Sequence, residues 1–194
     1  MHSNDIISME YESHAMINEE QYLQIYQDNL NSSFEHTYLE NTNIYYDTPD
    51  LFLINHQMVL RLRGVKDKYN EVTLKIEEEN GIKEINYPVK KDEVVDFEKF
   101  PVIKEELEKR GINLKDIRYI TTLITKRLEV KKDGYLFVID KNTYGTTIDY
   151  NLEVESSSKE LAEHYLDQEL AKYQIQKEKN YIVKSKRAIL AFKK

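Results

Sequence analysis

The sequence contains no cysteine, and it also lacks tryptophan. The absence of cysteine excludes disulfides, thiolate catalysis and cysteine-ligated zinc. No apolar segment approaches the roughly 20 residues that cross a bilayer, and residues 1–5 lack the basic and apolar regions of a signal peptide. The sequence therefore predicts a soluble, cytoplasmic protein with no membrane partner.

Positive charge is also in short supply. The chain carries 28 lysines and arginines against 35 acidic residues, which gives a net charge of −7 and a pI near 5.4. The electrostatic field of a negatively charged protein repels nucleic acid, so an anionic ligand must be bound by a local basic patch. With 194 residues, 40% of them hydrophobic, we expect a single domain over residues 1–194.

Four short segments alternate charged and apolar residues, two of them acidic and two basic. Because successive side chains of a strand point to opposite faces, the charged residues of each segment share one face. Taken alone, each segment indicates a half-buried antiparallel strand with a solvated outer face. Gathered on one sheet, the carboxylates can hold a hard cation while the basic groups neutralise phosphate. The charged residues are Glu10, Glu12, Glu153, Glu155, Arg61, Arg63 and Lys75.

The remaining pattern predicts an α+β fold of about eight antiparallel strands joined by short polar turns. After a first strand at the N-terminal acidic segment, strands are expected over residues 34–47, 57–65, 70–78, 82–89, 117–130, 135–142 and 146–155. Helix signals appear at a capping box of Asn18 and Gln21, on both sides of Pro101, at Ser157 with Glu160, and over residues 181–192.

Closing such a sheet into a barrel removes its exposed edges, and an eight-stranded barrel has room for one ligand. If the charged faces pointed outward, the apolar lumen would suit a carrier of an apolar ligand, but the helices would have little to cover. If they point inward, the amphipathic helices bury the apolar outer face. We therefore favour a closed eight-stranded antiparallel β-barrel whose charged lumen forms a tunnel, with amphipathic helices packed outside.

The order of these motifs resembles that of CYTH domain proteins in the triphosphate tunnel metalloenzyme superfamily, especially the bacterial YjbK-like branch. An N-terminal Glu-x-Glu-x-Lys motif is typical of the family, and EYESH at 10–14 matches it except at the last position. His14 replaces the usual lysine, and Asn151 occupies a position that is often glutamate. The further matches are YYDTP at 45–49, LRLR at 60–63, EVTLK at 71–75, Arg127, Asp140 and YNLEVE at 150–155.

The resemblance implies a tunnel that binds a triphosphate along its axis, with Mg²⁺ or Mn²⁺ held by the acidic strands. The implied metal ligands are Glu10, Glu12, Asp140, Glu153 and Glu155. The implied substrate-binding residues are His14, Arg61, Arg63, Lys75, Arg127 and Lys186, with Arg187 as an alternative to Lys186. The implied catalytic residues are Glu10, Glu12, Arg61, Arg63, Lys75 and Arg127. The five histidines are scattered without metal-ligand spacing, and only His14 lies in a motif.

The implied reaction is phosphoryl transfer to water, with inorganic tripolyphosphate as the simplest substrate because the sequence offers no evident base-recognition pocket. A nucleotidyl cyclase of the class IV adenylate cyclase type is a second hypothesis. A non-catalytic sensor of polyphosphate or nucleotides is a third, which the departures at His14 and Asn151 favour. The sequence leaves open a nucleoside or thiamine triphosphate as substrate, and a homodimer as the oligomeric state.

Overall fold

A computed structural model describes residues 6–90 and 95–192, and within them the strands form one closed antiparallel barrel. Around the barrel the strands follow the order β1-β5-β4-β3-β2-β6-β7-β8, so the predicted closed eight-stranded barrel is confirmed. Their bounds are β1 Ile6–Ile17, β2 His36–Asp47, β3 Met58–Val65, β4 Tyr69–Glu78, β5 Gly81–Val89, β6 Arg118–Lys132, β7 Tyr135–Tyr144 and β8 Thr147–Ser156.

Five α-helices accompany these strands in the part of the chain that the structure describes. They are α1 Glu19–Leu30, α2 Phe52–Asn55, α3 Pro101–Glu108, α4 Lys159–Lys172 and α5 Lys184–Phe192. Two short 3-10 helices span Phe97–Lys99 and Leu114–Asp116. The helical segment predicted from residue 91 falls partly on 91–94, which lie outside the described residues. Within the described ranges, no helix is long and apolar enough to cross a membrane.

The helix starts show where the sequence pattern was reliable and where it was not. At α1 the predicted capping box is confirmed, because Asn18 and Gln21 each accept the other's backbone N–H at 2.9 Å. At α4 the cap is Ser158, whose hydroxyl accepts from the Leu161 backbone, and the prediction of Ser157 was wrong by one position in a run of serines. The last helix begins at Lys184 and not at Tyr181.

The helices cover the apolar outer faces of the barrel, as the inward orientation of the charges requires. Helices α1 and α4 bury the outer faces of β1, β6, β7 and β8, while α3 buries those of β3, β4 and β5. Each fully buried leucine or isoleucine contributes about 1.5–3 kcal/mol. The largest fully buried aliphatic side chains in these two clusters are Ile25, Leu53, Met58, Leu60, Leu74, Ile85, Ile103, Leu107 and Leu128.

One end of the barrel is closed by α5. Ala188 and Ile189 of this helix pack against Tyr45, Leu123 and Tyr144, which lie on the inner faces of β2, β6 and β7. At this end, then, the lumen is apolar, whereas its middle is charged. The first turn of α5 consequently lies beside the charged part of the lumen, where Lys184 meets its acidic residues.

The turn after β2 explains part of the YYDTP motif in structural terms. The buried carboxylate of Asp47 accepts the backbone N–H groups of Thr48, Leu53 and Ile54 at 2.7, 2.8 and 3.0 Å. These bonds tie the short helix α2 to the end of the strand and satisfy donors at the start of that helix. They also support the left-handed backbone of Leu51, at φ 60°.

An ion-pair cluster fastens α4 to the barrel. The buried carboxylate of Glu169 accepts from Lys132 and Lys172, both at 2.8 Å, and from the Tyr135 hydroxyl. Burial raises the pKa of Glu169, but these three hydrogen bonds outweigh it and the net pKa lies below its ordinary value. Lys132 is nearly buried, with 8% of its side chain exposed, whereas Lys172 is 55% exposed.

Replacing Glu169 by Gln should lower the free energy of unfolding by about 3 kcal/mol at pH 7, because the Lys132 ammonium loses its counter-charge. The matched substitution Lys172→Met should cost less than about 1 kcal/mol, since that lysine is exposed. The ionised carboxylate stabilises above the unfolded glutamate pKa of about 4.3 and stops doing so as pH falls through the lowered folded pKa. Urea unfolding at several pH values measures both effects; equal losses in the two variants would contradict this.

Candidate functional site

The middle of the barrel lumen contains a narrow charged cavity of about 80 Å³. Nine of the residues singled out in the sequence line it, and Lys184 at the start of α5 joins them. Asp140 and Lys186 are not among the lining residues. The charged and titratable lining residues are Glu10, Glu12, His14, Arg61, Arg63, Lys75, Arg127, Glu153, Glu155 and Lys184.

Strand pairing brings the two acidic motifs together from opposite ends of the sequence. In the antiparallel register of β1 and β8, Glu12 lies opposite Glu155 and His14 lies opposite Glu153. Glu10 is one pleat away on β1, so the carboxylates share the inner face of two adjacent strands. The acidic surface predicted from alternation therefore exists, and it faces the lumen.

These carboxylates differ in how far their charge is neutralised. Glu10 accepts from Lys75 at 2.6 Å, and Glu153 accepts from Arg127 and Lys184, both at 2.6 Å. Within the described chain, Glu155 forms no ion pair, and the nearest cationic partner of Glu12 is His14 at 3.5 Å. Glu155 thus lacks a close counter-charge, whereas Glu12 has only the longer contact with His14.

Burial changes the pKa values of the carboxylates on the acidic wall. It raises the pKa of Glu10 to about 7, against the attraction of Lys75, and it also raises the pKa of Glu155. Burial acts in the same direction on Glu12, but the charges of Lys75 and His14 outweigh it and hold that pKa below its ordinary value. Since buried carboxylates are tolerated when they coordinate a cation, and oxygen donors suit Mg²⁺ and Mn²⁺, this donor set fits a divalent metal.

The opposite wall is built from arginines that lack full compensation. Arg61 donates to Glu84 at 3.2 Å, but its Nε is buried with no hydrogen-bond partner among the residues described. Burial, together with the like charges of Arg61 and Arg127, lowers the pKa of Arg63 to about 10. Adjacent buried guanidinium groups with an orphaned donor are a setting that an anion such as phosphate would stabilise.

Asp140, one of the implied metal ligands, lies outside the lining of the cavity. It is completely buried, and its two oxygens accept from Arg127 at 2.8 Å each, in a bidentate pair. Lys184 also donates to it at 2.9 Å. Because both oxygens face cations and Asp140 does not line the cavity, its geometry suits holding Arg127 in place.

Two lumen residues were missed in the sequence. Lys184, not Lys186, reaches the acidic wall, because Lys184 lies four residues before Ala188 and so shares the face of α5 that packs into the barrel. Glu84 of β5 accepts from Arg61 and lies 3.3 Å from Lys75. The alternation of Glu84 and Asn86 with apolar neighbours was a usable signal for an inward-facing carboxylate.

The two departures from the family motif also have defined surroundings. Asn151 donates to Glu153 at 3.2 Å and accepts from Asn142 at 2.7 Å, so the amide joins a buried network. His14 stacks in parallel on Tyr181, with ring centroids 4.9 Å apart. Burial lowers the pKa of His14, but Glu12 and Glu153 outweigh this and raise it to about 9.

A pair of acid-to-amide substitutions tests this division of the carboxylates. Asp140→Asn should lower the free energy of unfolding by about 3 kcal/mol, because Arg127 and Lys184 lose a buried counter-charge. Glu155→Gln should leave it unchanged or raise it, since burial of that ionised carboxylate is unfavourable in the absence of a metal. Denaturant unfolding in EDTA at pH 7 measures both, and a comparable loss in Glu155→Gln would refute the assignment.

The comparisons with known proteins identify the family and the fold of the chain. The family model described as CYTH domain matches residues 8–185. YjbK of Bacillus subtilis (strain 168), named as a proposed triphosphatase, is 31% identical over 127 residues, which cover 63% of this chain and 65% of that relative. The match thus spans less than two thirds of the relative's length.

Solved structures show the same fold. A proposed adenylate cyclase from Bacillus halodurans superposes with a TM-score of 0.79 at 21% identity, covering 93% of this chain and 97% of that one. HpAC1 from Hippeastrum, a proposed adenylyl cyclase described as having a dominant triphosphatase activity, gives 0.69 at 15% identity, with 92% and 94% covered. At these identities the likeness concerns the fold alone. Because the family model spans nearly the whole chain, the resemblance to the family is confirmed, and the chain belongs to the CYTH domain family.

Proposed function

We propose that the protein hydrolyses triphosphates inside the tunnel in a reaction that requires a divalent cation, with inorganic tripolyphosphate as the preferred substrate. The observation that carries this proposal is the sorting of charge in one lumen. Glu155, which forms no ion pair among the described residues, and Glu12, whose nearest cation is His14 at 3.5 Å, lie on one wall. An arginine cluster with the orphaned Arg61 Nε lies on the other. The triphosphatase descriptions of YjbK and HpAC1 support the same substrate class.

Glu12 and Glu155, with Glu10 and Glu153 beside them, would hold Mg²⁺ or Mn²⁺. When bound, such a cation supplies Lewis-acid polarisation of the transferred phosphoryl group and neutralises its charge. The four carboxylates lie on the paired strands β1 and β8, so they would hold the cation against that wall of the lumen. A carboxylate of the same wall that does not hold the cation would accept a proton from the attacking water.

The basic wall binds the phosphoryl oxygens. Arg61 and Arg63 present guanidinium groups, which match phosphate geometry with paired donors. Arg127, whose Nε and Nη2 are held by Asp140, adds its positive charge to the same wall. Phosphoryl transfer proceeds through a loose transition state with charge on the peripheral oxygens, so fixed cations stabilise it without reorganisation. Glu84 and Asp140 hold Arg61 and Arg127 in place through the contacts described above.

Lysines complete the site by changing partners. In the ligand-free protein Lys75 neutralises Glu10, and Lys184 neutralises Glu153. With a triphosphate and a cation bound, Lys75 and Lys184 would be free to donate to phosphate, because their carboxylate partners would hold the cation. The buried charges would then stay compensated, which lowers the cost of burying a highly charged substrate.

Purified protein should release orthophosphate from tripolyphosphate with Mg²⁺ or Mn²⁺ and should not do so in EDTA. Glu12→Gln should reduce turnover by at least about a hundredfold, because an ionised oxygen donor at the metal is lost. Glu105→Gln, on the exposed surface of α3, is the matched control and should retain full activity. Undiminished activity in EDTA would contradict the proposal.

Arg61→Ala and Arg63→Ala should each weaken tripolyphosphate binding by about 1.5–3 kcal/mol, the value of a lost charge-assisted hydrogen bond. Substitution by Lys should restore only part of this, because ammonium lacks the planar fork. Calorimetry in EDTA measures binding without turnover, with Arg110→Ala outside the barrel as the control. Unchanged affinity in both lumen variants would place the phosphates elsewhere.

ATP discriminates the proposed activity from a cyclase. Orthophosphate as the product supports hydrolysis at the γ-phosphate, whereas cyclic nucleotide with pyrophosphate would identify a cyclase. Tight binding of tripolyphosphate with no product, under every divalent cation tested, would identify a sensor.

A further inference from the structure

His14 occupies the motif position where the family has lysine, and the two side chains differ in one chemical respect. A lysine ammonium only donates hydrogen bonds, whereas an imidazole nitrogen can coordinate a metal once its proton has left to solvent, as the His14 proton would when a cation takes its place between the carboxylates. The structure places this imidazole between two acidic residues of the proposed cation site. Its Nε2 lies 3.5 Å from a Glu12 oxygen, and its Nδ1 lies 3.7 Å from a Glu153 oxygen.

These contacts are too long for hydrogen bonds, so the imidazole is poorly satisfied in the ligand-free protein. Its Nδ1 is buried and has no hydrogen-bond partner in the described part of the chain. One ligand atom from each of Glu12, His14 and Glu153 can be chosen so that all three lie within 4.8 Å of one another. Metal–ligand distances of about 2.0–2.2 Å separate two ligands of one ion by about 3–4.4 Å, so small side-chain movements would close this set.

We propose that His14 is a ligand of the tunnel cation, and that Glu12, His14 and Glu153 form a mixed carboxylate and imidazole site for a first-row transition metal. The inference deepens the proposed function and rests on it for the presence of a cation in the tunnel. Oxygen donors suit Mg²⁺, whereas an imidazole donor favours the transition metals, whose affinities rise from Mn²⁺ to Co²⁺ and beyond. The site therefore takes Mn²⁺ or Co²⁺ in preference to Mg²⁺.

The surroundings of His14 hold its ring in a suitable place. Tyr181 stacks on it with an interplanar angle of 1°, and the Tyr181 hydroxyl accepts from Arg187 at 3.2 Å. Arg187 is itself anchored to Asp149 of β8 by two hydrogen bonds, at 2.7 and 3.0 Å. A ligand whose ring is fixed by its neighbours binds metal more tightly than a mobile one.

The cations already near this site do not exclude a metal. Lys184 and Arg127 both donate to Glu153, and both also donate to Asp140. When Glu153 turns to the metal, these two cations keep Asp140 as their partner. Lys75 is paired with Glu10 and lies near Glu84, so it also keeps its partners.

Pulsed EPR of the full-length protein loaded with Mn²⁺ alone, with no phosphate present, tests the inference directly. The wild type should show ¹⁴N modulation from a coordinated imidazole, and His14→Gln and His14→Lys should lose it. His164→Gln, on the exposed face of α4, should keep it. Competition binding should also show that the preference for Mn²⁺ over Mg²⁺ falls by about tenfold in His14→Gln, within the range for a lost metal contact.

The wild-type spectrum decides the matter even if a variant fails to fold. Bound Mn²⁺ without ¹⁴N modulation, modulation that persists in folded His14→Gln, or failure of the wild type to bind Mn²⁺ would overturn the inference. Hydrolysis is read out separately. If tripolyphosphate is turned over but Mn²⁺ shows only oxygen ligands, the role of His14 is refuted and the proposed function stands. If nitrogen coordination is seen but no turnover, the proposed function is refuted and the role of His14 stands.

Discussion

The compensation of charge inside a closed barrel is the constraint on which the rest of this structure depends. Buried ions are tolerated only when they are paired, so each charged strand face must meet an opposite one across the lumen. The group formed by Arg127, Asp140, Glu153 and Lys184 satisfies this condition with distances of 2.6–2.9 Å. The same inward orientation leaves the outer faces apolar, which is why the helices are amphipathic and pack outside.

Compensation is incomplete at two places, and these are where ligands are expected. On the acidic wall Glu155 has no ion pair among the described residues and Glu12 has only a 3.5 Å contact with His14, while Arg61 and Arg63 on the basic wall carry charge in excess of their acceptors. A cation and a phosphate chain would each correct one imbalance. Function and stability are thus opposed at these residues, because the features that bind ligands are unfavourable in the empty barrel.

Alternation in the sequence was enough to predict the barrel and most of its lumen, since a period of two determines which face each charge occupies. It could not predict which charges pair, because a contact such as Arg61 with Glu84 depends on the register between strands. The orientation of the helices was harder to predict from the sequence. The phase of α5 decides that Lys184 and not Lys186 reaches the lumen, since Lys184 lies four residues before Ala188 on the face that packs against Tyr45 and its neighbours. This apolar spacing was a local signal that the sequence analysis did not use.

The central claim is that the cation and the triphosphate meet inside the barrel, each against its own wall. Crystals grown with Mn²⁺ and a non-hydrolysable imido analogue of tripolyphosphate would locate both, because manganese is identified by anomalous scattering. The account predicts a manganese peak at the carboxylates of β1 and β8, and phosphates in contact with the arginines of β3 and β6. Manganese or phosphate bound only outside the barrel, with the lumen ion pairs intact, would contradict it.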